Sequence, residues 1–181
     1  MRDNVNDDTV CGVAHHEAAH IVIACVLELS IGERGATVYG FPPDPTGVAH
    51  FEGATQGTEV AVSKVDNVII ALLAGGIAHS KLRNDINTEV LKDEERIAEL
   101  MGAPGFESPE VQTHCAPLNS QAKELVDRHW PVIQKVAMTL CSKEWHYRRP
   151  ANSLFKEKSL SGEELKSLLD PMPVVVDGTI E

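Results

Sequence analysis

The stretch Val13-Ala14-His15-His16-Glu17-Ala18-Ala19-His20-Ile21-Val22 decides how this chain reads. On an α-helix, residues i and i+4 stand one above the other on the same face, so His16 and His20 can both reach one metal ion. Glu17 sits beside that face, where a carboxylate can act on a metal-activated water without being a ligand itself. The neighbouring positions Ala14, Ala18, Ala19, Ile21 and Val22 are small or apolar and uncharged. That composition suits a helix packed into a core while presenting a metal, whereas a solvated helix would carry Lys and Glu there. The alternative for such a pair is two core histidines satisfied by hydrogen bonds. His15 projects about 100° away from His16 around the helix, which makes it a supporting or structural residue rather than a ligand.

Outward from this segment, the pattern predicts a first helix from Thr9, capped by Asp8, to Leu29. A strand over Ala36–Phe41, a turn-rich loop over Pro42–Gly47 and a return strand over Val48–Phe51 should form a hairpin beside it. His50, alone on a short strand, reads as structural. Thr58 can cap a second, largely apolar helix over Glu59–Leu82, in which Gly75-Gly76 point to close packing against another backbone. A third helix is expected over Thr88–Met101, then a loop over Gly102–Ser108. Further helices are expected over Pro109–His114, Asn119–His129 and Pro131–Cys141, with Pro131 able to begin a helix or kink a longer one. Ser161-Gly162-Glu163-Glu164 is a capping box for a last helix ending at Leu169, and Pro171–Glu181 reads as a loose tail or an added edge strand.

At 181 residues and 43% hydrophobic content the chain can bury one ordinary core, so a single domain over residues 1–181 is expected, with residues 1–8 and 171–181 as tails. A net charge of −11 argues against nucleic-acid binding, which relies on Lys and Arg patches. Cys11, Cys25, Cys115 and Cys141 form no C-x-x-C pair, and reduced thiols in a cytosolic-type compartment are the simpler reading. The first eight residues are polar and acidic, unlike a secretory leader, and the longest uninterrupted apolar run, Val68–Ala78, is short of the ~20 residues of a membrane span. A soluble, cytoplasmic protein that binds no membrane is the resulting expectation.

Two histidines leave a catalytic zinc site one protein ligand short. The metzincin extension would need Gly and His where Ile23 and Val26 stand, so that class is excluded. Glu59, Glu94 and Glu95, or Asp66, Asp85 and Asp93, remain available.

Three pieces in the same order resemble the peptidase domain of the FtsH family of ATP-dependent zinc proteases: Ala14–His20, Leu73-Ala74-Gly75-Gly76-Ile77-Ala78, and Ser159–Leu165. The resemblance spans most of residues 9–170 and is strong only at these motifs. It implies a helical zinc-peptidase domain, mainly α with a small antiparallel β-hairpin beside the active-site helix. It also implies a third ligand from an Asp at the start of the helix after the apolar glycine-containing one. Asp93, 73 residues beyond His20 (93 − 20), fits that place better than Asp85. The implied activity is zinc-dependent peptide-bond hydrolysis, with His16, His20 and Asp93 holding zinc and Glu17 as general base. A peptide or unfolded protein would be the substrate, and a strand of it could pair with the edge formed by Thr37–Phe41.

Three departures qualify the likeness. Ala19 replaces the family's usual Gly between the ligands, a change a helix tolerates. Residues Ser142–Lys158 look like an insertion, and these 181 residues contain no G-x-x-x-x-G-K-[ST] loop. Hydrolysis would therefore be ATP-independent, or would draw on a separate ATPase partner. A non-catalytic binding or regulatory domain retaining the peptidase fold is the alternative.

Overall fold

A computed structural model describes residues 7–40, 45–82, 88–148, 155–170, 172 and 176–177. Its centre is helix α1 (Asp7–Val26), whose residues from Gly12 to Cys25 are buried on every side. Helices α2 (Val65–Leu82) and α4 (Pro109–Ser142) pack on it, and strands β1 (Ile31–Gly40) and β2 (Thr46–Phe51) cover it from another side. This accounts for the near absence of charge along α1, because no face of it is left for water. The helix stops three residues short of the expected Leu29. Glu28 takes a left-handed conformation (φ 56°), and the Leu29 N–H reaches back to the Ala24 carbonyl, which places buried Leu29 against the helix end.

The fold is mainly α with a small sheet, and the expected hairpin is present as β1 and β2, paired antiparallel from Ala36↔Ala49 to Tyr39↔Thr46. Phe41 and residues 42–44 of the expected turn lie outside the described residues. The sheet extends further than the hairpin. Strand β4 (Phe155–Leu160) pairs with the other side of β1, β3 (His146–Arg148) pairs with β4, and β5 (Val176–Asp177) adds a short parallel pairing at Ile31–Gly32. The apparent insertion over Ser142–Lys158 thus supplies the whole of β3 and four of the six residues of β4, and part of the tail is the edge strand that the sequence allows for. β1 is consequently interior, hydrogen-bonded on both sides, and Thr37–Gly40 offers no free edge to an added strand. The edge strand beside α1 is β2.

Within β1, Gly35 has φ 57°, and a Cβ there would stand 2.1 Å from the Leu160 carbonyl oxygen. It marks the register shift between Ile31 and Ala36 and lets β4 approach.

Thr58 does not cap α2. Its hydroxyl donates to the Thr55 carbonyl, and its oxygens accept from buried Arg96, which also donates to the Gly53 carbonyl. A single 3₁₀ turn over Val62–Lys64 leads into α2 instead. Helix α3 (Thr88–Leu100) stands where the sequence places it, while α4 replaces three expected helices with one of 34 residues. Pro117 and Pro131 both lie on its exposed face, where water is available to the carbonyls they leave unbonded, and the buried stripe from Val111 to Leu140 continues unbroken. Helix α5 (Gly162–Leu169) opens with the expected capping box, Ser161 and Glu164 each bonding the other's backbone N–H. By length and composition, Thr9–Val26 and Val62–Leu82 are apolar enough to cross a membrane, which counting uninterrupted apolar residues overlooks. The first of these windows is 83% buried inside the protein.

Candidate metal centre

One turn of α1 puts His16 and His20 on the face toward α2 and α3. Their rings meet edge to face at 4.5 Å between centroids, and the two Nε2 atoms are 2.9 Å apart. From α3, Asp93 brings Oδ2 to 3.1 Å from His16 Nε2 and 3.3 Å from His20 Nε2. Among the described residues this is the one group of three or more His, Cys, Asp or Glu side chains arranged to share a metal ion. Ligands at about 2.0–2.1 Å around a tetrahedral zinc stand roughly 3.3 Å from one another, so the three separations suit that ion.

The donor chemistry fits as well. His20 Nδ1–H donates to the Ala71 carbonyl of α2 at 2.8 Å, which in the neutral ring leaves the Nε2 lone pair facing Asp93 and His16. Phe51 of β2 lies against the same ring at 5.9 Å. Asp93 Oδ2 is buried with the two Nε2 atoms as its polar neighbours, so its charge is compensated there either by an imidazolium or by a cation shared with both rings.

Gly75 explains how α2 can come this close. A Cβ at that position would lie 2.4 Å from both Cε1 and Nε2 of His20 and 2.8 Å from His16 Cε1. The backbone of α2 is therefore the floor under both rings. Gly76, which the sequence groups with it, is different: a Cβ there would make ordinary contact with Val90 at 3.5 Å. Gly75→Ala is expected to displace the rings, lowering zinc content and destabilising the fold by about 1–3 kcal/mol through overpacking. Gly76→Ala should keep the metal and gain up to about 1 kcal/mol from helix propensity. Metal analysis and thermal melts of the two variants check this, and equal behaviour would refute the assignment of Gly75 as the floor.

Glu17 is buried and turned toward the edge strand, where a Cβ on Gly47 would stand 2.2 Å from its Oε1. Gly47 reads in the sequence as a turn residue, and no spacing signal marks it as the neighbour of the carboxylate. Burial pushes the Glu17 carboxyl up to about 8, against the opposing pull of His20. A cation at the three-ligand site would bring it down again, toward the range of a working general base. For His20, burial works against the imidazolium but is outweighed by Asp93, Glu17 and the Ala71 carbonyl, which lift the ring to about 9. For Asp93, burial is outweighed by His20 and the contacts from both rings, which hold it at about 2. Burial and His20 together lower His16.

The remaining candidates stand elsewhere. Asp66 pairs with His114 on the surface, Glu59 and Glu95 are exposed, and Glu94 is half-buried outside the cluster. Asp85 lies outside the described residues. His15 points toward α4, bonded to the Cys11 carbonyl and lying 5.8 Å from the Trp130 ring. His50 is buried on β2, apart from the cluster. Two neighbours went unmarked in the sequence: buried Glu89, one turn before Asp93, and its ion-pair partner Lys92, both close enough to Glu17 to act on its charge. Compared with known protein families and with curated proteins, the chain matches no family model and no individual protein.

Proposed function

We propose that this protein is a zinc-dependent peptidase, with His16, His20 and Asp93 as the metal ligands and Glu17 as the general base. The observation that carries the reading is the convergence of two Nε2 atoms and one buried carboxylate oxygen from separate helices, with an extra buried carboxylate beside them. Zinc, when bound, supplies the Lewis acidity that acidifies a water and polarises a scissile carbonyl. Glu17 takes the proton from the attacking water on its carboxylate and delivers it to the leaving amine nitrogen. Ala71 keeps His20 in the tautomer that can bind metal. The β2 edge, whose Gly47 lies directly over Glu17, is the place where an extended substrate could align through main-chain hydrogen bonds. The likeness to the FtsH peptidase domain in its three motifs supports this reading, as does the approach of Asp93 to the two histidines. A cytoplasmic location and a separate unfolding partner belong to the same proposal.

The choice of Asp93 has its own test. Asp93→Asn replaces a charged ligand with a neutral amide and is expected to weaken zinc binding by more than about 100-fold, beyond the effect typical of a residue that only supports a ligand. Glu94→Gln should leave zinc affinity within about twofold, since Glu94 touches neither ring. Competition with a chromogenic chelator measures both. If the two variants lose zinc equally, α3 does not supply the ligand assigned here.

A further inference from the structure

Cys11 and Cys141 are 130 positions apart in the chain, yet the fold brings their sulfurs to 2.9 Å. That is closer than ordinary contact between two sulfur atoms and within a small side-chain rotation of the about 2.05 Å of a disulfide. Cys11 stands in the second turn of α1 and Cys141 in the last turn of α4, where the two helices lie side by side. The placement is held from both sides. His15 is bonded to the Cys11 carbonyl and lies near Trp130 of α4, and the Lys158 ammonium donates to the Cys141 carbonyl.

The four cysteines divide sharply. Cys25 and Cys115 are buried, and burial pushes the Cys25 thiol up to about 12 and raises Cys115 as well, so neither presents a thiolate to an oxidant. Cys11 and Cys141 are partly exposed and touch each other, and neither faces the metal ligands.

We propose that Cys11 and Cys141 form an oxidative modification site, a dithiol that closes into an intramolecular disulfide under a peroxide. One sulfur attacks the O–O bond, becoming a sulfenic acid while the other peroxide oxygen leaves as water. The second sulfur then attacks the sulfenic sulfur, forming the S–S bond and expelling its oxygen as a second water. Two thiols thus lose two electrons and two protons, and one peroxide becomes two waters. The bridge ties the amino-terminal part of the metal-bearing helix to the end of α4. Because it closes so long a loop, it restricts the unfolded chain strongly, and the oxidised protein should melt roughly 10–20 °C above the reduced one.

The test treats the full chain with hydrogen peroxide at low protein concentration, then counts thiols after unfolding and maps the bridge by peptide mass spectrometry. Reactive thiols should fall from four to two, recover with dithiothreitol, and yield one peptide joining Cys11 to Cys141 from monomeric protein. Cys11→Ser and Cys141→Ser should each abolish that peptide, whereas Cys25→Ser should retain it. Persistence of four thiols, a bridge between two chains, a pairing with Cys25 or Cys115, or unchanged melting after oxidation would overturn the proposal. The outcome is independent of zinc and of peptidase activity.

Discussion

Replacing His20 with alanine is expected to empty the metal centre: zinc after dialysis should fall from about one per chain to below about 0.1, with peptide cleavage at background. The expectation rests on how many contacts pass through this ring. Its Nε2 is one apex of the three-ligand cluster, its Nδ1 is tied to Ala71, and its edges lie against Gly75 and Phe51. A zinc site left with two protein ligands is under-coordinated, and the alanine also leaves a cavity that the rigid α2 backbone cannot fill. His16→Ala should behave in the same way, with circular dichroism showing the helices retained in both variants. Zinc retained at full stoichiometry in either variant would remove the cluster as the metal site and, with it, the basis of the proposed reaction.

Glu17→Gln should do the opposite to the metal and the same to the chemistry. Zinc content is expected to stay within about 20% of the unaltered protein, because Glu17 is outside the ligand triad, while cleavage of an unstructured substrate should drop about 10²–10⁴-fold. The amide is nearly isosteric, so the tight fit against Gly47 is preserved, and it cannot accept the proton of the attacking water. A variant that loses zinc as completely as His20→Ala would make Glu17 a ligand or a structural support. One that keeps both zinc and full activity would assign the base elsewhere, with the nearby Glu89 the first residue to test. Read together, the two variants separate holding the metal from using it.

The His16/His20 pair and its apolar flanks were legible because they depend only on helical geometry, a rise and a turn that any helix of this composition shares. The same holds for the Ser161 capping box, whose partners are three residues apart. Chain chemistry alone left Asp93 as one of six acidic candidates, and family likeness rather than spacing selected it. Its nearness to the two rings exists only once α3 docks beside α1 and α2, a relation between elements that no local pattern encodes. Gly75 and Gly76 make the same point within two adjacent residues. Identical in sequence character, they separate into a floor pressed against both histidines and a position with room for a methyl group. Pro131 reads locally as a helix start or a kink and Pro117 falls between two expected helices, but burial of the stripe on the far side of α4 outweighs the lost backbone bonds, which water can satisfy on the exposed face. Residues 155–160 carried no strand signal strong enough to register, since alternating Lys and Glu fit a solvated loop equally well; pairing with β1 makes them a strand and turns β1 from an edge into the interior. Local periodicity thus marked the helical segments and the two-histidine motif, but not where α1 ends, where α2 begins or that α4 runs through its two prolines. Which carboxylate meets them, which strand remains open and which cysteines touch were decided by packing over long sequence separations, where the free energy belongs to contacts that form only in the folded chain.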